Sequence, residues 1–217
     1  MKTETQIYEF TCSICGKKSE HSIIKNSSAP DAPDLDLRPS EPHRSSMEYW
    51  VMECPHCGYC NDIIEKPADF SHDYFEGEEY KGCGGIETDE PLAVRFIKKA
   101  LVNTKNHTMP DAVQAYLYAS WVFDDKNDEK NASACRMKAV KIMDENPAVF
   151  ANNENFAILK ADMLRRSGEF QRVVSEFRDK IFSKPIFTVI AGFEVMLAEK
   201  KDSGVYKSTD IPGVSAN

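Results

Sequence analysis

The chain has no excess of positive charge. Its 27 Lys and Arg face 35 Asp and Glu, a formal net charge of −8. Non-specific nucleic-acid affinity comes largely from Lys and Arg, so this balance disfavours a protein whose main business is gripping a phosphate backbone. A local basic patch stays compatible with it. Nor is there an apolar run of the ~18 residues that a membrane span needs. The opening stretch, MKTETQIYEF, holds neither an apolar core of signal-peptide length nor a small-residue cleavage site. The expected location is the cytoplasm, with no membrane partner. A Walker loop, a Ser-His-Asp order and an isolated carboxylate pair are missing too, and no enzymatic activity is expected. With 41% hydrophobic and 29% charged residues over 217 positions, the chain can build one globular domain or two small ones.

Cysteine is plentiful, and four of the seven fall in two matched units: Cys12-Ser13-Ile14-Cys15-Gly16 and Cys54-Pro55-His56-Cys57-Gly58. Each is Cys-x-x-Cys followed at once by Gly. In a reducing compartment such pairs read as metal ligands or redox groups rather than structural disulfides. A zinc knuckle needs a tight turn that aims backbone N–H groups at the thiolates, and glycine relieves the steric cost of that turn. Two knuckles close a tetrahedral four-sulfur site around one structural Zn²⁺, with Cys12, Cys15, Cys54 and Cys57 as ligands. A thioredoxin-type reading of Cys-Pro-His-Cys fails, because that chemistry places its first Cys at a helix N-terminus. Here Gly58 comes next and GYCNDII carries no helical stripe. Of the remaining thiols, Cys60 is expected partly buried on the strand leaving the knuckle, and Cys83, among glycines, exposed. Both are candidate reactive thiols. Cys135 shares a helical face with Ala132, Ala139 and Ile142 and is expected in the core.

The chain changes character near residue 90. Before it, YEFTC and MEYWVMEC read as short strands entering the knuckles, and HSIIK and NDIIEK as strands leaving them. The stretch NSSAPDAPDLDLRPSEPHRSS reads as a long loop, since its prolines forbid a helix and a central strand. Residues 65–90 hold nine acids against two lysines and read as a linker. After Asp89, read as a helix cap, apolar spacing is helical. Helices are expected from about Pro91, over 110–124, over 129–145, from an Asn146-Pro147 start to Gly168, along the Phe170, Val173, Val174, Phe177, Ile181 stripe, and from Pro185. The fold class is α+β: a zinc ribbon of short antiparallel strands with a Pro-rich insertion over 1–66, an acidic linker over 67–88, an antiparallel helical domain of about six helices over 89–204, and a flexible tail over 205–217.

Within the helices, Ala161, Leu164, Gly168, Phe170, Val173 and Phe177 follow the small, large, Gly, aromatic order of a tetratricopeptide hairpin. On that register Asn155, Ile158, Asp162, Arg165 and Arg166 face or border a groove, and the arginines are candidate partners for carboxylates. In the insertion, Arg38, His43 and Arg44 are candidates for holding an anion. The alternative is that this loop pairs internally and is pinned onto the ribbon.

Four stretches, TCSICGKKSE, DLDLRPSEPHRSSMEYWVMECPHCGY, AYLYASWVFDDKNDEK and LRRSGEFQRVV, resemble in order a bacterial family known as domain of unknown function 2225. Its members look like a zinc ribbon followed by tetratricopeptide-like helices, and the resemblance runs over residues 5–200. It implies the four knuckle cysteines as metal ligands and Cys60 as a non-ligand, and carries no established activity. The first functional expectation is a scaffold that binds a protein or peptide through its helical surface. The second is nucleic-acid binding through the ribbon, opposed by five Lys or Arg against seven acids over residues 16–53. The third is a thiol-based redox or zinc sensor using Cys60 or Cys83.

Overall fold

A computed structural model describes residues 3–213. Strands β1 (Glu4–Thr11) and β2 (Lys18–Asn26) pair antiparallel, with Thr11 opposite Lys18 and Tyr8 opposite His21. The turn between them is the first knuckle. Strands β3 (Met52–Glu53) and β4 (Cys60–Asn61) pair antiparallel around the second. Both are shorter than the sequence pattern predicts. Met47–Tyr49, expected as strand, belongs to a 3₁₀ turn over Arg44–Tyr49. The Trp50 indole donates to Ser46 Oγ at 3.2 Å and the Trp50 N–H to the Met47 carbonyl at 3.0 Å, and these local bonds win over the alternating pattern. NDIIEK leaves the strand at Asp62, whose N–H bonds the Asn61 side chain at 2.8 Å. That turn sends Ile64 into the core.

Residues 67–88 are not a free linker. They form 3₁₀ turns flanking α1 (Glu78–Lys81), and Phe75, Tyr80, Cys83 and Ile86 are buried. Phe75 packs edge-on against Tyr59 and Tyr80, with ring centroids 5.4 and 5.0 Å away. The Tyr80 hydroxyl accepts from Cys60 N–H at 3.0 Å and donates to the Gly58 carbonyl at 2.9 Å. The many acids of this segment lie outside; its few aromatics tie the second knuckle to the helical domain.

The helical domain is α2 (Pro91–Lys105), α3 (Met109–Asp125), α4 (Glu129–Glu145), α5 (Pro147–Phe150), α6 (Glu154–Arg166), α7 (Phe170–Phe177) and α8 (Pro185–Glu199). Pro91 and Pro147 sit in first turns, where the missing N–H costs nothing. At α2 the cap position is Glu90, without a side-chain bond, rather than Asp89. Fully buried Ala112, Ala115 and Ala119 on α3 and Ala132, Cys135 and Ala139 on α4 let these helices approach closely. The helix expected over 147–168 is two, because Asn153 breaks it and caps α6 through the Asn155 N–H. The stripe on α7 ends at Phe177, and Ile181 lies beyond it, 92% exposed. Among the described residues, no helix is long and apolar enough to cross a membrane.

The Pro-rich insertion crosses to the helical domain instead of staying on the ribbon. Asp34 forms an antiparallel bridge with Lys207, and Leu35 N–H bonds the Tyr206 carbonyl at 2.8 Å. Leu35 is buried among Phe193, Leu197 and Ile211. Residues 205–211, expected as part of a flexible tail, are therefore docked; the last four positions of that tail lie outside the described residues.

Candidate metal centre and buried charge network

The two knuckles repeat one backbone pattern. Gly16 N–H bonds the Cys12 carbonyl at 2.8 Å and Gly58 N–H the Cys54 carbonyl at 2.9 Å. Cys12 N–H bonds the Lys17 carbonyl at 2.9 Å and Cys54 N–H the Tyr59 carbonyl at 2.8 Å. Both glycines sit at φ +70°, a left-handed conformation that a Cβ strains. The turns bring four sulfurs to one point. Cys12 and Cys57 Sγ are 3.7 Å apart, Cys15 and Cys54 Sγ 3.6 Å apart, and all four lie within 4.8 Å of one another. A tetrahedral ion with metal–sulfur bonds of about 2.3 Å spaces its sulfurs by roughly 3.8 Å. The cluster has that spacing and can hold a metal ion. Cys12 and Cys54 are buried, Cys15 and Cys57 half-buried. Burial pushes the Cys12 and Cys57 thiols up, against backbone N–H groups that pull them down. A cation among the sulfurs reverses that balance by offsetting the repulsion between thiolates.

The other thiols stand apart from this cluster. Cys60 is fully buried, its thiol directed at the Gly58 carbonyl at 3.5 Å, and burial raises its pKa far above the usual thiol range. Cys83, expected exposed, is buried under α2, where burial raises its pKa as well. Cys135 is in the core as expected, its pKa pushed up to about 12 by burial. Neither Cys60 nor Cys83 presents an accessible thiolate, which a reactive thiol requires.

The expected groove residues behave differently. Asn155 is exposed and bonds Asn153, but Ile158, Asp162 and Arg165 are buried. Arg165 donates through Nε to Glu194, through Nη2 to Asp162 at 3.0 Å, and through Nη1 to the Asp202 and Gly204 carbonyls at 3.0 and 2.8 Å. Arg166 donates to Asp36 at 2.8 Å and to Asp124 at 2.7 Å. Both arginines are thus already paired with carboxylates inside the molecule.

The anion candidates are likewise separated. Arg38 forks onto Asp125 at 2.9 and 2.5 Å and lies over the Trp121 ring at 5.7 Å. Arg44 pairs with Asp34, and His43 packs on Trp50 at 4.8 Å. Each arginine already has its own carboxylate. The pinning is real, but its target is the helical domain. Sequence reasoning missed Trp121, Asp124, Arg136 and Glu194, which complete the network. One signal was present: Glu194 interrupts the apolar run FEVML in the middle of α8.

No protein-family model, no curated protein and no solved structure matches this chain.

Proposed function

We propose that the chain is a cytoplasmic protein-binding module, built from tetratricopeptide-like helices and stapled at its N-terminal end by one structural Zn²⁺ in a four-cysteine ribbon. We place it with the bacterial domain of unknown function 2225 family on the knuckle and helix motifs it shares with that pattern. The carrying observation is the closed four-sulfur cluster. Cysteine-only coordination at this spacing suits zinc, and four thiolates fill a tetrahedral shell without an open position for substrate. The metal then supplies a rigid cross-link between β1–β2 and the β3–β4 knuckle, and chemistry is not its task. Low positive charge over the ribbon supports a protein partner over a nucleic acid. The burial of Cys60 and Cys83 weighs against a thiol sensor.

Affinity purification of the intact, metal-loaded protein from nuclease-treated cells tests the reading. A defined protein partner is expected to remain bound. Capture that disappears with nuclease, or a gel shift with DNA or RNA at low salt, overturns it in favour of nucleic-acid binding.

A further inference from the structure

Arg136 lies on the buried side of α4, with 3% of its side chain exposed. A charge so placed is ordinarily surrounded by hydrogen bonds, because its desolvation is otherwise uncompensated. Arg136 departs from that rule. Its Nη2 donates to Asp124 Oδ2, and Arg166 Nη2 donates to that same oxygen at 2.7 Å. Two guanidiniums thus share one carboxylate oxygen, while Arg166 has Asp36 as well, at 2.8 Å. Among the described residues Asp124 is the acceptor that Arg136 meets, and its Nε is buried with no acceptor at all. A guanidinium carries several more N–H donors than this arrangement uses. Burial, and after it the Arg166 charge, pull the Arg136 pKa below the ordinary arginine value.

This under-used guanidinium lines a cavity of about 240 Å³ between the end of α3, the first half of α4, the end of α6 and the loop after α8. Asp124, Glu129 and Arg166 share its wall with the neutral side chains of Asn127 and Ser203. Its volume falls below the roughly 300–1,000 Å³ of pockets for drug-sized ligands, so it suits a smaller group. The planar fork of an arginine matches a carboxylate in shape and charge. Two arginines and two carboxylates line the cavity, so a ligand with a second negative charge would face Asp124 and Glu129 without a cation to offset it.

We infer that this cavity binds a small monoanionic carboxylate, with Arg136 as its main donor and Arg166 beside it. Such a group comes from a free small acid or from the C-terminus of a peptide, and the experiment separates the two. Full-length, zinc-loaded protein is titrated with sodium acetate and with N-acetyltriglycine at constant ionic strength, with sodium chloride as control. The amide resonances of Ser203 and Gly204, on the cavity wall, are followed by NMR. Saturable shifts that chloride does not produce are expected. Equal or tighter binding of acetate assigns the site to a free acid, and tighter binding of N-acetyltriglycine assigns it to a chain terminus. Phosphate dianion is expected to bind more weakly than acetate; equal or tighter binding overturns the monoanion assignment. Arg136→Gln leaves Asp124 paired with Arg166 and is expected to weaken acetate binding at least ~10-fold, through loss of charge-assisted bonds. A folded, zinc-containing Arg136→Gln protein that binds acetate unchanged overturns the inference. An unaltered protein that responds to acetate no more than to chloride, as a cavity holding only water would, overturns it too. If Arg136→Gln does not fold, Glu129→Gln decides, since Glu129 is exposed. Removing that charge from the wall is expected to tighten acetate binding by about 2-fold or more, and an unchanged affinity overturns the inference.

Discussion

Arg165 lies in the last turns of α6 with none of its side chain exposed. An arginine so placed is usually a solvated or partner-facing residue, and the helical register alone assigns it to a groove. Its real partners are Glu194, 29 residues on, and the Asp202 and Gly204 carbonyls. Nothing in the local pattern carries contacts of that sequence separation. The four knuckle cysteines are legible for the opposite reason, since each turn is set by a few consecutive residues and a glycine. Removing Arg165 leaves the Glu194 and Asp162 carboxyl groups buried without the guanidinium that bonds them. Arg165→Ala is expected to lower stability by roughly 3–5 kcal/mol. Arg165→Met combined with Glu194→Gln is expected to lose less than the sum of the single changes. Chemical denaturation of the four proteins measures the coupling; strict additivity means that the pair does not interact.

At the scale of elements, helices with strong apolar stripes and Pro starts are legible, while segments ordered by distant partners are not. Residues 67–88 read as an acidic linker because composition outvoted Phe75, Tyr80 and Ile86, the residues that pack. The insertion reads as a loop because its prolines exclude helix, and its route across α3, α6 and α8 depends on Trp121, Asp125 and Arg166, far away in sequence. The α6–α8 contact also carries a pH dependence. Burial, aided by the Asp162 charge and opposed by Arg165, pushes Glu194 up to about 8, against an ordinary 4.5. The folded chain therefore holds this proton where the unfolded chain has released it. The contribution to stability is fully present below about pH 4.5 and falls as pH rises to about 8, by at most about 1.4 kcal/mol per pH unit. Urea unfolding at about pH 6 and about pH 8 is expected to show a loss that Glu194→Gln lacks. An equal loss in both proteins contradicts the assignment.

Across the whole molecule, the α+β division was legible: a cysteine-bearing strand region, then helices. The absence of a true linker was not. One hydrophobic core runs from Cys12 and Cys54 through Phe75 and Tyr80 into α2, α3 and α4, because aromatic side chains from each segment fill the space between the others. The four-cysteine cluster is thus one wall of a shared core, and its sulfurs bring the β1–β2 hairpin together with the β3–β4 knuckle. The central claim is that these four sulfurs bind a structural zinc. Elemental analysis of the purified protein, prepared without added chelator, tests it most directly. One zinc per chain is expected, lost in Cys54→Ala and kept in Cys60→Ala. A protein without bound zinc whose Cys12, Cys15, Cys54 and Cys57 all react freely with a thiol reagent contradicts the account.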